Sequence, residues 1–382
     1  MILSSPLVGA SRLLIPLALL AALTSLVFPV FQTETNIQIL VWTHVPLLTL
    51  FLLIVATAIL QWQNYRGSAG ADLMVGVLAH GGVGLLIWML DGRAGEASGG
   101  FWGLLIACWL LAWVFVDRLA SRDFENHNVQ KLINIVIPVI FGAWLLIVWE
   151  CMTRGLGVPR ILLPPPSEIG VRFSDSTSIL WADFKQTFLH AVLIGYAMGC
   201  GSGFAVAILA DRVPFLRRGL LPIGNVVSAL PIIGVAPIMV MWFGFDWHSK
   251  AAVVVIMTFF PMLVNTMTGL DCAGRMQRDL MQTYGASRWQ TLFKLRLPEA
   301  LPFIFNALKI NSTLALIGAI VAEFFGTPTV GMGFRISTEV GRLNVDMVWA
   351  EIAVAALAGS LFYALVAFLE KVFTFWHPSI RG

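Results

Sequence analysis

Long apolar runs alternate with short polar segments along the whole chain. A helix that crosses the hydrocarbon core of a bilayer needs about 20 apolar residues, and these runs approach or exceed that length. We predict ten spans, at residues 12–31, 37–60, 73–91, 101–117, 132–150, 186–210, 219–243, 250–270, 302–323 and 347–370. The pattern therefore predicts an all-α polytopic membrane protein.

The composition agrees with a membrane protein. Of the 382 residues, 58% are hydrophobic and only 12% are charged, whereas a soluble domain carries about 25% charged residues. The net charge is +3, and the basic residues lie in short loops where they set membrane orientation, so we predict no nucleic-acid partner. The four cysteines show no metal-ligand or redox spacing. We therefore predict apolar packing roles for them, and neither a metal nor a cofactor.

The distribution of basic residues predicts that both termini are cytoplasmic. On that topology the cytoplasmic segments hold the larger basic set, which is Arg66, Arg118, Arg122, Lys131, Arg212, Arg217, Arg218, Arg275, Arg278, Arg288, Lys294, Arg296, Lys371 and Arg381. The outer loops hold the smaller set, which is Arg154, Arg160, Arg172, Lys185, Arg335 and Arg342. Because Lys and Arg concentrate on the cytoplasmic side of a membrane protein, the balance favours this orientation.

The first apolar run has an alternative interpretation as a cleaved signal peptide, because it begins beside the basic Arg12. However, the run is long, contains Pro16 and Pro29, and lacks a clear small-residue cleavage site. We therefore expect it to remain as a membrane span.

Residues 274–298 form a basic, polar segment between two spans, which we call the polar loop. Its first part has apolar residues at helical spacing, namely Met276, Leu280, Met281 and Tyr284. Gly285 follows, and glycine can take the positive φ that ends a helix without strain. Ser287 can then cap a second helix, and we expect Pro298 to break that helix before the next span. The apolar residues of the second helix are Trp289, Leu292, Phe293 and Leu295.

The polar loop resembles the cytoplasmic coupling loop of ABC importer permeases. The family pattern is Glu-Ala-Ala, three residues, Gly, nine residues and Ile-x-Leu-Pro. Gly285 and Leu297-Pro298 match at this spacing, whereas Asp279-Leu280-Met281 replaces Glu-Ala-Ala and Leu295 replaces the Ile. The resemblance implies contact with an ATPase subunit through Asp279, Tyr284, Gly285, Ala286, Ser287, Arg288, Trp289, Leu297 and Pro298. The alternative is an amphipathic segment that only rests on anionic lipid.

The second part of the chain, residues 126–382, resembles permeases of the nitrate, sulfonate and taurine importer family, which also includes carriers of pyrimidine vitamin precursors. The matching stretches are Leu163–Glu168, Ala229–Pro231, Gly234–Pro237, Trp242–Gly244, Ser249-Lys250, Phe260-Pro261, Asn265, Gly285–Trp289 and Ala322-Glu323, with glycines 326, 331 and 333. The resemblance implies a six-helix permease domain at 126–382. Residues 1–125 lie outside it, as an N-terminal transmembrane extension of four spans whose role is open.

The resemblance implies a permease subunit of an ATP-driven importer in the bacterial inner membrane. The implied partners are two ABC ATPase chains, a second permease copy, an extracytoplasmic solute-binding protein and the lipid bilayer. The chain has no Gly-x-x-x-x-Gly-Lys-Ser/Thr loop, so ATP hydrolysis would reside in a separate chain, and we predict a transport subunit, not an enzyme. The implied cargo is a sulfonate-, taurine- or nitrate-type anion, or a heteroaromatic vitamin precursor such as a pyrimidine.

Several polar or helix-bending residues on the later spans are candidates for the translocation path. The prolines of the span at 219–243 remove backbone donors and bend the helix, and the freed carbonyls are tolerated in a membrane where they line a cavity. Intramembrane acids such as Glu323 are costly and usually functional or paired. The path candidates are Asn225, Ser228, Pro231, Pro237, Asn265, Asn311 and Glu323.

Each of these features also has a purely structural interpretation. The span at 219–243 is alternatively a kinked packing helix, and Glu323 a boundary residue in interfacial water. Gly195, Gly199 and Gly203 form a ridge on the span at 186–210 that allows close helix packing. This ridge either lines the pore or a dimer contact, or packs within one subunit.

Two other classes of function compete with the ABC permease. An ion-gradient-driven secondary transporter would need buried Asp, Glu or His relays near the middle of its spans, and these are nearly absent from the sequence. A membrane-embedded enzyme would need clustered His, Asp or Cys, but the six histidines are dispersed. Both classes are therefore less favoured.

Overall fold

The computed structural model describes residues 7–33, 37–63, 69–122, 124, 126–228, 231–326 and 329–376. Its contacts divide the chain into two units, residues 1–168 and 169–382. The predicted orientation residues Arg66 and Arg381 lie outside the described residues.

The first unit consists of membrane-type helices and one short hairpin. Its helices are α1 (Leu7–Val27), α2 (Val45–Gln63), α3 (Ala69–Met89), α4 (Gly99–Ala120) and α5 (His127–Gly155). The antiparallel hairpin pairs β1 (Phe31–Gln32) with β2 (Gln38–Ile39). The apolar core of this unit lies between the helices.

Polar contacts inside the first unit join helices that are distant in sequence. Asp72 of α3 accepts a hydrogen bond from Arg118 of α4 at 2.8 Å and also pairs with Arg122. Trp144 of α5 donates from Nε1 to His80 Nε2 of α3 at 3.2 Å. The Asp72 pairs join α3 to α4 and its C-terminal end, and the Trp144 bond joins α5 to α3.

The second unit consists of the following helices. They are α6 (Pro166–Asp175, which crosses the boundary between the units), α7 (Thr177–Phe184), α8 (Leu193–Arg212), α9 (Pro214–Ser228), α10 (Ile232–Phe243), α11 (Trp247–Asp271), α12 (Arg275–Thr283), α13 (Arg288–Thr291), α14 (Leu297–Glu323), α15 (Met332–Gly341) and α16 (Val345–Phe373). Two π-helical segments, Lys185–Val192 and Leu292–Arg296, join α7 to α8 and α13 to α14 without a break.

The structure confirms an all-α polytopic membrane fold. Seven helical stretches in the described residues are long and apolar enough to cross a membrane, namely Gly70–Met89, Gly99–Ala120, His127–Gly155, Thr177–Arg212, Trp247–Asp271, Arg288–Glu323 and Val345–Phe373. Three shorter apolar helices accompany them, namely Leu13–Val27, Val45–Gln61 and Ile232–Phe243.

The predicted single span at 219–243 is wrong. The structure has two helices there, because α9 ends at Ser228 and α10 begins at Ile232. Pro231 lies before the first residue of α10 with extended backbone angles. Proline lacks an N–H group and disfavours helical geometry in the residue before it, so the chain cannot continue as one helix through this point.

The glycine ridge of α8 lies against α11. A Cβ atom on Gly195 would lie 2.8 Å from Ala251 O, and one on Gly203 would lie 2.5 Å from Phe259 O. A Cβ atom on Gly199 would overlap Thr258 Oγ1. The absence of side chains therefore lets α8 and α11 approach closely within one unit.

A buried polar network fixes the start of α15 against the end of α14. The Glu323 carboxylate accepts hydrogen bonds from Thr187 Oγ1 at 2.8 Å and from Gly333 N at 2.7 Å. Thr187 Oγ1 in turn accepts from Met332 N at 2.8 Å. Glu323 is only 2% exposed, so it is a paired structural acid and not a solvated boundary residue.

Asp183 completes this network from α7. Its fully buried carboxylate accepts from Gly331 N at 2.6 Å and from Arg335 Nε at 2.8 Å. Burial acts to lower the pKa of Arg335, but the hydrogen bond and charge of Asp183 outweigh it and leave that pKa above its usual value. Arg335 therefore stays charged and keeps Asp183 paired.

We expect Gly199→Ala to destabilise the second unit by about 1–3 kcal/mol, because an added Cβ overpacks the contact between α8 and α11. The free energy of unfolding in mild detergent measures this effect. Gly201→Ala is the matched control, since Gly201 lies on the same helix with open space around it. Equal stability of the two variants would contradict the packing role.

We expect Glu323→Gln to lower the free energy of unfolding by about 2 kcal/mol, because the amide places an NH₂ group where a carboxylate oxygen accepts from Thr187 or Gly333. Glu299→Gln on the same helix is the control, since the Glu299 side chain makes no hydrogen bond within the described part of the chain. Unchanged stability of Glu323→Gln, measured by denaturant unfolding in detergent, would refute the role of this network.

Candidate functional site

The first half of the polar loop is a short helix that ends at a glycine. Helix α12 is followed by Gly285 with φ +67°. Gly285 N donates to Gln282 O and Ala286 N donates to Met281 O, both at 2.9 Å. These bonds satisfy carbonyls at the end of the helix, so the predicted helix end with positive φ at Gly285 is confirmed.

The second half begins with a capped helical turn. Ser287 Oγ accepts from Gln290 N at 3.2 Å, and Gln290 Oε1 accepts from Ser287 N at 2.7 Å. This reciprocal pair is a capping box, and it confirms the predicted cap at Ser287.

The predicted break at Pro298 is wrong. The helix is continuous from Arg288 to Glu323, and Pro298 lies in the first turn of α14. The π-helical turn before it brings Leu297 N to Leu292 O, five residues back. Proline lacks the N–H that a regular helix would use at this position, and the wider π-helical turn before Pro298 accommodates that missing donor, so the chain passes from the polar loop into the span without interruption.

One face of α12 is an exposed apolar stripe. Met276, Leu280 and Tyr284 follow one another at intervals of four residues, so they lie on the same side of the helix. Met276 is 83% exposed, Leu280 56% and Tyr284 82%. Further along the loop, the exposed rings of Trp289 and Phe293 stack with their centroids 5.7 Å apart. The polar loop therefore presents apolar side chains that no described part of the chain covers.

An ion pair holds the base of the polar loop. Arg296 donates to both carboxylate oxygens of Asp211, at 2.6 and 2.8 Å, and its Nε donates to Leu270 O at 3.0 Å. Asp271 at the end of α11 pairs with Arg217 of α9. Bidentate arginine–carboxylate pairs have fixed geometry, so the loop has a defined position relative to the ends of α8 and α11.

The residues that replace the family's Glu-Ala-Ala lie on α12. Asp279 is exposed on α12, and its side chain makes no hydrogen bond within the described residues. Leu280 belongs to the apolar stripe. The loop thus exposes a carboxylate and an apolar face. The Asp279 side chain is one methylene shorter than that of glutamate.

The predicted path residues whose side chains the structure describes do not converge on one polar site. The side chains of Asn225 and Ser228 lie outside the described residues. Asn265 Nδ2 donates to Pro261 O of its own helix at 2.8 Å. Pro231 precedes α10, Pro237 lies within it, and Glu323 belongs to the network at the far end of α14.

Asn311 joins three helices of the second unit. It is fully buried on α14, and its Nδ2 donates to Thr258 O of α11 at 2.8 Å. The same group lies 3.2 Å from Cys200 Sγ of α8. The structure therefore places Asn311 between helices, where it fixes their packing.

A cavity of about 150 Å³ lies beside the interruption between α9 and α10. It is lined by apolar side chains from α9, α10, α11 and α14, namely Val227, Ile232, Val235, Val253, Ile256, Met257, Pro261 and Leu314. Sequence reasoning missed this group, since apolar residues in a span give no signal that separates a cavity wall from ordinary packing.

Sequence reasoning also missed the polar partners that position the candidate residues. Asp183 and Thr187 contact residues that are at least 136 positions away in sequence. Asp211 contacts a residue 85 positions away. No local motif marks such pairs. An acid and a hydroxyl within apolar runs were the only available signals.

Comparison with known proteins connects this geometry to a family. Residues 191–374 match the family described as binding-protein-dependent transport system inner membrane component. The chain is 33% identical over 239 residues to the formylaminopyrimidine transport permease protein ThiX of Halalkalibacterium halodurans, a match that covers 63% of this chain and 95% of that protein. It is 30% identical over 237 residues to the riboflavin transport system permease protein RibX of Chloroflexus aurantiacus, covering 62% and 88%. It is 28% identical over 275 residues to the taurine transport system permease protein TauC of Escherichia coli, covering 69% and 98%.

These relatives are transport permeases, and the family match includes the whole polar loop. Family membership assigns energy coupling to a separate ATPase and solute delivery to a binding protein, which sets aside the ion-gradient and enzyme alternatives. The chain therefore belongs to the binding-protein-dependent inner membrane components: it is a multi-pass permease subunit of an ABC importer.

Proposed function

We propose that two copies of this permease form the translocation path of an importer in a bacterial inner membrane, and that each polar loop docks into one of two ATPase chains. The observation that carries this proposal is the exposed stripe of Met276, Leu280 and Tyr284 on a loop with a fixed base. Exposed apolar surface on a rigid element is typical of a protein interface. The stripe is short enough to enter a groove in the partner.

The continuous helix from the polar loop to Glu323 supports a mechanism for coupling. When two bound ATPases close on ATP, the docked loops move with them. Because Pro298 leaves the helix unbroken, a displacement of the loop passes into α14 and reaches the polar network at its other end. The two permease copies would then open toward the opposite side of the membrane.

The proposed orientation places the polar loop and both termini in the cytoplasm. The basic residues Arg275, Arg278, Arg288, Lys294 and Arg296 then lie on the side that favours Lys and Arg. The polar network of Glu323 and α15 lies on the outer side, where the solute-binding protein would dock.

For the two segments of the chain, we propose a boundary in the loop before α5, with an N-terminal extension at 1–125 and the permease domain at 126–382. Each match to the relatives leaves about a third of this chain uncovered. The contacts of α5 with α3 and α4 support a scaffolding role for the extension, which would hold the first span of the permease domain.

For the cargo, we propose a neutral heteroaromatic compound of the vitamin-precursor type. The described residues that line the cavity beside the α9–α10 interruption include no charged side chain, and an apolar wall suits a ring better than a sulfonate or nitrate anion. Two relatives that share 30% or more identity carry names that specify formylaminopyrimidine and riboflavin.

We expect Gly285→Val to release the ATPase from the purified complex, because a β-branched residue at positive φ costs about 1–2 kcal/mol and redirects the end of α12. Co-purification of the ATPase with detergent-solubilised permease measures the effect. The matched control is Gly92→Val, since Gly92 also has a positive φ, +73°, and open space for a Cβ. Retention of the ATPase by Gly285→Val, or its equal loss from both variants, would contradict the docking role.

The cargo proposal is tested on the solute-binding protein encoded beside this permease. We expect pyrimidine precursors or flavins to raise the midpoint of its thermal unfolding, and taurine, alkanesulfonates, nitrate and bicarbonate to leave it unchanged. Stabilisation by an oxyanion alone would overturn the assignment of a heteroaromatic cargo and leave the permease assignment intact.

A further inference from the structure

A basic cavity lies behind α12, between the polar loop and the end of α8. Its volume is about 510 Å³. Four arginines line it, namely Arg212 at the end of α8, Arg278 on α12, and Arg288 and Arg296 further along the loop. Such a concentration of guanidinium groups in one concave site exceeds what a helix end needs for membrane orientation.

Most of this positive charge is not neutralised by the chain itself. Arg296 is paired with Asp211, which also lines the cavity. Arg212, Arg278 and Arg288 take part in no ion pair within the part of the chain that the structure describes. The cavity therefore carries a net charge of about +3, which attracts an anion.

The cavity faces away from the surface proposed to dock the ATPase. Successive residues of a helix are about 100° apart, so Arg278 and Gln282 lie on the side of α12 opposite Met276 and Leu280. Both of these polar residues line the cavity. The apolar stripe thus lies on one side of α12, and Arg278 and Gln282 line the cavity on the other side.

The chemistry of the walls favours a phosphate group. Arginine binds phosphate oxygens through paired, charge-assisted hydrogen bonds. An aromatic ligand is disfavoured, because the Trp289 ring already carries the Arg212 guanidinium at 3.4 Å from its centroid and stacks with Phe293. The cavity also lies where α8 ends and α14 begins, and both belong to helical stretches that are long and apolar enough to cross a membrane.

We propose that this cavity binds a phosphate-bearing anion, either the headgroup of an anionic lipid or a soluble phosphate, and that the bound anion braces α12 against the end of α8. The assignment of the cytoplasmic leaflet rests on the proposed function, whereas the cavity and its charge do not. An anion that bridges Arg278 to Arg212 would fix the orientation of the apolar stripe. The partner ATPase would then dock more tightly when the site is filled.

The test compares purified permease with two variants that each lose two arginines. R212Q/R278Q removes guanidinium groups from opposite walls of the cavity. R218Q/R275Q removes the same charge from neighbouring positions on α9 and α12 that do not line the cavity. Thermal unfolding is followed in neutral detergent with added short-chain phosphatidylglycerol, short-chain phosphatidylcholine or inorganic phosphate. The unfolding midpoint without additive shows that each variant is folded.

We expect phosphatidylglycerol, but not phosphatidylcholine, to raise the midpoint of the unchanged protein and of R218Q/R275Q. We expect R212Q/R278Q to bind it at least about tenfold more weakly, because each charge-assisted hydrogen bond contributes about a factor of ten or more to affinity. Protection by inorganic phosphate with the same dependence on the variants would identify a soluble phosphate as the ligand. Equal responses of all three proteins, or no response of the unchanged protein to either anion, would overturn the inference.

The ATPase that co-purifies with each protein separates this inference from the proposed function. If the unchanged protein shows no response to either anion but retains the ATPase, the phosphate site alone is refuted. Failure of the unchanged protein to retain any ATPase would refute the docking proposal, whatever the anion response.

Discussion

A bilayer supplies no water to the backbone, so each interruption of a helix within it needs polar partners from the chain itself. This constraint explains where the polar residues of the second unit lie. Asp183, Thr187 and Glu323 satisfy the backbone N–H groups of residues 331–333 as the chain turns from α14 into α15. Without those three side chains, the start of α15 would present unpaired donors to an apolar environment.

The same constraint makes α14 a rigid connection between two polar sites. It has 27 residues, which corresponds to about 40 Å of helix. The Arg296–Asp211 ion pair holds the end beside the polar loop, and the Glu323 network holds the other. Between them, Asn311 ties the helix to α8 and α11. A movement of the polar loop therefore has a direct route to the far end of the permease, and the apolar cavity beside α10 lies along that route.

Local features of this protein could be predicted from its sequence, whereas contacts between distant residues could not. The apolar runs, the positive φ at Gly285 and the cap at Ser287 each depend on neighbouring residues, and the structure has them all. Pro298 was expected to end a helix, but the π-helical turn before it accommodates the missing N–H and the helix continues. Nothing in the residue pattern distinguishes a helix that ends at Pro298 from one that continues through it. The interruption before Pro231 shows the opposite error, in which apolar composition hid a break. The partners Asp211 and Asp183 become visible only when helices pack.

The central claim is that the polar loop docks into an ATPase through the exposed face of α12. A photo-crosslinking amino acid placed at Tyr284, in membranes that contain the whole transporter, tests this claim most directly. The account predicts a covalent adduct with the ATPase from position 284, and none from Trp242 near the end of α10, which is 71% exposed against 82% for Tyr284. Adducts with lipid alone from position 284, or ATPase adducts from both positions, would contradict it.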